Sequence, residues 1–243
     1  MGKAAPAKMS VDEVLHFLKQ HGNEQAKPML MKHGARDPFF GTRIGDMKKL
    51  VKKIKKDHEL SLALYETGNS DAMYLAGLIA DETQISKADL KRWVKNAYWY
   101  MLAECTVAWV AAESPFGVEL ALEWIESPSE MIAAAGWATY SSILSITLNE
   151  KLDLAEINRL LERAERTVHE ERNRVRYAIN SFIISVGAYI PSQTARAKEI
   201  GEHVGKVDVD MSGTACAVPL ITPYLEKIEA RGGIGKKRKT ARC

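Results

Sequence analysis

The chain is 243 residues long and 46% apolar, enough for one sizeable buried core and too apolar for a disordered tail. Its 34 Lys and Arg stand against 31 Asp and Glu, a net charge of only +3, which by itself does not announce a nucleic-acid partner. Three widely spaced cysteines, Cys105, Cys216 and Cys243, form no C-x-x-C pair, which argues against a disulfide scaffold or zinc ribbon.

Taken in chain order, the opening MGKAAPAKMS has no apolar signal core, and Pro6 stands where a myristoylation signal wants Ser or Thr. The expectation is a soluble cytoplasmic protein. Val11, Val14, Leu15 and Leu18 then follow the i, i+3, i+4, i+7 template of an amphipathic helix, with Ser10 and Glu13 spaced as a capping box. Between Arg43 and Lys56 lie seven bases and one acid, Asp46. Lys48, Lys49, Lys52, Lys53 and Lys56 fall on one helical stripe, while Met47, Leu50, Val51 and Ile54 form the anchoring side. Ser86 with Asp89 marks another helix start. The following segment carries Trp93, Tyr98, Trp99, Tyr100 and Trp109 beside Lys91, Arg92 and Lys95. Its aromatic faces suit either a core between helix layers or stacking on bases. Met131–Leu148 has no charge, but its Gly136, Ser141, Ser142 and Ser145 read as a buried helix rather than a membrane span. Arg172, Arg174 and Arg176 alternate on opposite sides of their helix, so at most one or two can share a face, and Arg176 is taken as the one that meets a partner. The stretch from Gly232 has three glycines and then Lys236, Lys237, Arg238, Lys239 and Arg242, a composition that suggests a flexible basic tail over 232–243 after a single domain at 1–231. Outside the two basic segments the chain carries 22 bases and 30 acids. Concentrated positive charge on an acidic background points to a polyanionic partner at defined places.

The breaks near Pro28, Pro38, Asn69, Ser86, Pro115, Pro128, Asn149, Pro191 and Pro219 cut the chain into about a dozen helices, with no sustained strand alternation. The fold class is all-α. YLAGLIA from Tyr74, IAAAGWATY from Ile132 and RYAINSFII from Arg176 are rich in small residues, as the close-packed members of stacked helix pairs would be; pattern alone leaves an irregular bundle open as well. Enzyme motifs are missing: His169-Glu170-Glu171 is not H-E-x-x-H, and no G-x-G-x-x-G, Walker A or G-x-S-x-G occurs. No cofactor, metal or membrane partner is expected, and the protein is expected to be a monomer.

The segments AKPMLMKHG from Ala26, GDMKKLVKKIKKD from Gly45, YLAGLIAD from Tyr74, AYWYMLAEC from Ala97 and the closing KKRKTARC, in this order, give the chain a resemblance to the AlkD-like DNA alkylation repair proteins. That family builds HEAT-like or armadillo-like helical repeats and includes glycosylases for N3- and N7-alkylated purines. The resemblance implies helical repeats stacked into a curved superhelix with a concave basic groove. It also implies DNA as partner, with Lys48, Lys49, Lys52, Lys53, Lys56, Tyr98, Arg176, Lys236, Lys237, Arg238 and Lys239 as contacts. The family's active cleft holds a Trp and, four residues on, an Asp, with an Arg and a second Trp from later repeats. Here these positions match Trp99, Ala103, Ala133 and Ser181, so three of the four are changed, and Glu104 stands next to the lost Asp. Trp99 and Glu104 are the catalytic candidates if excision of alkylated bases survives. The alternatives are a non-catalytic binder of DNA structures or RNA, and a protein-interaction scaffold.

Overall fold

The computed structural model describes residues 8–242. Residues 1–7 and Cys243, which belong to the expected domain and tail, lie outside the described residues. Helices α1 (Val11–Gln20), α2 (Lys27–Lys32) and α3 (Ile44–Ile54) precede a run of helix pairs. The pairs begin with α4 (His58–Glu66) and α5 (Ser70–Ile79), then α6 (Lys87–Asn96) with a π-helical turn Met101–Val107 that runs into α7 (Ala108–Glu113). They continue with α8 (Gly117–Ile125) and α9 (Glu130–Ile146), α10 (Leu154–Thr167) and α11 (Asn173–Tyr189), and α12 (Thr194–Val204) and α13 (Ile221–Ala230). No strand occurs among the described residues.

Local signals set the helix starts. Both capping boxes form: the Ser10 hydroxyl accepts from the Glu13 N–H while Glu13 accepts from the Ser10 N–H, and Ser86 and Asp89 repeat the arrangement at α6. Burial then sorts the helices into two kinds. α10 buries one stripe, Ile157, Leu160, Leu161 and Ala164, whereas every residue of α5 is buried. The second members of the pairs, α5, the π turn with α7, α9, α11 and α13, pack each against the next and form the middle of the molecule. Small residues make this possible. A Cβ on Gly77 of α5 would lie 2.7 Å from Thr106 Cγ2 of the π turn, and within a pair one on Gly136 of α9 would lie 2.5 Å from the Ile125 backbone nitrogen of α8. α9 is the uncharged segment read from the sequence as buried, and no described helix is long and apolar enough to cross a membrane.

The segment expected to be a loose basic tail is instead docked. It crosses the C-terminal ends of four consecutive second-member helices in reverse chain order. The Gly235 N–H donates to the Ala188 carbonyl of α11 at 2.8 Å. Lys237 Nζ donates to the Leu144 carbonyl at 2.7 Å, and the Arg238 N–H to the Ser145 carbonyl at 2.7 Å, both on α9. The Glu113 carboxylate, at the end of α7, accepts from the Thr240 hydroxyl and, at 2.7 Å, from the Ala241 N–H. Arg242, 9% exposed, donates to the Ala80 carbonyl beyond α5 at 2.7 Å and pairs with Glu82 at 2.9 Å and Glu113 at 3.0 Å. Helix C-termini present unsatisfied carbonyls and partial negative charge. A run of N–H donors, lysines and arginines is the complement of such a row of ends.

Candidate nucleic-acid interface and a buried cation site

The basic strap brings its charge to the other basic segment. One surface hollow is lined by Lys56, Glu82, Glu113, Lys151, Lys239 and Arg242; a neighbouring one is lined by Lys48, Lys55, Lys56, Thr240 and Arg242. Across the two, six bases meet two acids. Lys48, Lys49, Lys52 and Lys53 are all exposed on α3, with Met47 and Leu50 buried beneath them. Lys56 is not part of the helical stripe: α3 ends at Ile54, Lys55 turns with φ of 63°, and Lys56 pairs with Glu82. Lys49 pairs with Asp46 at 2.7 Å. In the strap, Lys236, Arg238 and Lys239 are exposed, while Lys237 points inward to α9 and burial lowers its pKa. Lys151, just past α9, has no sequence signal, because it is an isolated lysine in a short loop.

The other expected residues fall elsewhere. Tyr98 is half-buried, with Arg36 stacked 4.0 Å from its ring. Arg176 is held by carbonyls, donating to Glu171 at 2.6 Å and Asp208 at 3.0 Å. Trp99, expected at the cleft, is only 7% exposed; it packs in the core, and its indole N–H donates to the Ser70 hydroxyl at 3.1 Å. Ala103 and Ala133 are fully buried.

Residues one position on from Trp99 and Ala103 do reach a cavity. Tyr100 and Glu104, four apart and therefore on one helix face, line a space of about 510 Å³ with Cys105, Arg174, Tyr177 and Ser181. Met211 and Cys216, from the segment linking α12 to α13, also line it. The aromatic-then-acid spacing that the resemblance implies is present, in a register shifted by one. A π turn, wider than an α turn and frequent at functional sites, carries Glu104.

Glu104 does not act alone there. Its two carboxylate oxygens receive Arg174 Nε at 2.8 Å and Nη2 at 2.7 Å, and the side chains are 9% and 12% exposed. The guanidinium carbon lies 4.4 Å from the Tyr100 ring centroid and 4.4 Å from that of Tyr177. Burial raises the Glu104 pKa against the pull of Arg174, and the neighbouring Glu130 adds to the rise. Burial works against the Arg174 charge, and Glu104 more than offsets it, so the guanidinium stays above its ordinary pKa. Glu130 also accepts from the Arg174 backbone N–H at 2.7 Å and so satisfies one exposed donor at the start of α11. No cluster of three or more His, Cys, Asp or Glu able to hold a metal ion occurs among the described residues.

Stacked helix pairs with a cationic face and an aromatic, acid-lined cavity define a helical-repeat protein of the HEAT-like class. The chain belongs to the DNA alkylation repair enzyme family, whose profile matches residues 14–202. It is 33% identical over 229 residues to the uncharacterized protein Lmo0209 of Listeria monocytogenes, covering 92% of this chain and 99% of that one. It is 32% identical over 229 residues to the uncharacterized protein Lin0241 of Listeria innocua, with the same coverage. Among solved structures it matches, with a TM-score of 0.89 and 35% identity over 97% of this chain and 100% of the other, a protein described as one of a new family related to the HEAT-like repeat DNA glycosylases with affinity for branched DNA structures.

Proposed function

We propose that this protein binds DNA through the combined surface of α3 and the C-terminal strap, prefers branched structures to plain duplex, and does not excise alkylated bases. The observation that carries the reading is the meeting on one face of two basic segments far apart in sequence, with Lys48, Lys52 and Lys239 exposed beside them. Exposed lysines of this kind suit phosphates, which they contact without reading sequence. The solved relative's described affinity for branched DNA supports the choice of structure.

Excision of a cationic purine calls for a carboxylate free to stabilise positive charge on the departing base and sugar, with aromatic faces beside it. Here the one carboxylate in the cavity is neutralised by Arg174, and Trp99 is in the core. The test is fluorescence anisotropy with a four-way junction, a three-way junction and a duplex of equal length, at several salt concentrations. Junctions are expected to bind more tightly than duplex, with affinity falling steeply as salt rises. Equal affinity for all three removes the structural preference, and no salt-dependent binding removes the DNA reading. Release of 7-methylguanine or 3-methyladenine from alkylated duplex is expected at the spontaneous rate only; faster release restores the glycosylase reading.

A further inference from the structure

The cavity around Glu104 has the composition of a receptor for a planar cation. A carboxylate placed for two parallel hydrogen bonds matches a flat, delocalised donor fork. Two tyrosine rings within 4.4 Å supply the electron-rich faces that attract such a cation. Around them the walls are small or neutral, Ala138, Ser141, Ser142 and Ser181, and the space of about 510 Å³ falls in the range of small-molecule pockets.

The cation now in this receptor belongs to the protein. We infer that Glu104, Tyr100 and Tyr177 form a binding site for a guanidinium-like planar cation and that Arg174 is its internal occupant, an autoinhibitory contact that keeps the site closed to an outside ligand. The position of Arg174 supports the assignment. It is the second residue of α11, where the helix dipole disfavours a positive side chain, so the guanidinium is held there by the cavity's own groups rather than by its helix. Met211 and Cys216 reach the cavity from residues 205–220, which have no regular secondary structure. Occupancy of the cavity is read without DNA.

Methylguanidinium is the probe, titrated into the wild type, Arg174→Ala, Arg174→Met and the double variant Arg174→Ala with Glu104→Gln, with melting temperature and calorimetric binding as readouts. Vacating the site is expected to let methylguanidinium bind Arg174→Ala at least tenfold more tightly than the wild type and to raise the melting temperature of that variant alone. Arg174→Met, which refills the space without charge, is expected to gain no binding, and the double variant to lose at least tenfold relative to Arg174→Ala. Because rescue of stability is itself a readout, a poorly folded Arg174→Ala still answers. The inference is overturned if methylguanidinium neither binds nor stabilises Arg174→Ala beyond the wild type, or if the double variant responds as strongly as the single one.

Discussion

Two arginines, each tied to carboxylates and each little exposed, serve the molecule in different ways. Arg174 lies in a cavity, paired with one acid and stacked near two rings. Arg242 lies at a crossing of chain segments, where it joins the end of α5 to the end of α7 through Ala80, Glu82 and Glu113. The first neutralises a site, and the second closes a structure while leaving a surplus of positive charge around it. The contrast teaches that a sequence's basic residues cannot be assigned to a partner until their internal acceptors are known.

The largest expected effect is at the buried pair. Arg174→Ala leaves Glu104 buried without its partner and is expected to cost about 3–5 kcal/mol in denaturant unfolding, whereas joint replacement by Arg174→Met and Glu104→Gln recovers most of the loss. A single variant as stable as the wild type would remove the distinction between the two arginines. Next, Arg242→Ala takes one partner from Glu82, which keeps Lys56, and one from Glu113, which keeps Thr240 and Ala241, and frees the Ala80 carbonyl; a loss of about 2–3 kcal/mol is expected in the same measurement. Hydrogen exchange should rise at the C-terminal ends of α5 and α7 and not around Glu104.

Lys48→Ala, Lys52→Ala and Lys239→Ala test the surplus charge. Each is expected to change stability by less than about 0.5 kcal/mol. Together they should lower the slope of log affinity against log salt by about 2–3, since each duplex phosphate that a lysine neutralises adds roughly 0.9 to it. The smallest effect is at Asp81, beside the Arg242 anchorage. Its carboxylate accepts from the Gln84 amide at 2.6 Å and from the Thr83 hydroxyl at 2.8 Å and N–H at 3.1 Å, which lower its pKa from 3.8 to about 2. A depressed carboxyl contributes stability above its unfolded value and loses it as the pH falls through the folded one. Carbon NMR should follow that titration near pH 2, and Asp81→Asn should flatten the stability profile between about pH 4 and pH 2.

The helices were legible because their determinants are local. Ser10 with Glu13 and Ser86 with Asp89 act across three residues, and Gly136 and Gly77 declare close approach by their size alone. The cavity was legible in kind but not in register. Tyr98, Trp99 and Tyr100 are adjacent aromatics where the chain leaves α6 and enters the π turn, and nothing in their chemistry says that Trp99 turns to the core and Tyr100 to the cavity. Arg174 and Arg176 posed the same problem; the Glu171 and Asp208 carbonyls claim Arg176. The strap was read as loose because its glycines and lysines have no nearby partners. Its acceptors are 93 residues away for Lys237 and 162 for Arg242.

That separation also bears on the order in which the molecule is completed during synthesis. Residues 235–242 leave the ribosome after every helix they bind, so α5, α7 and α9 emerge with carboxyl-end groups waiting for partners that do not yet exist. Contacts of such long range form late, since a large loop must close before they gain anything. A nascent chain stalled before residue 235 would therefore hold its pairs loosely at one edge, and residues 235–242 would draw that edge shut.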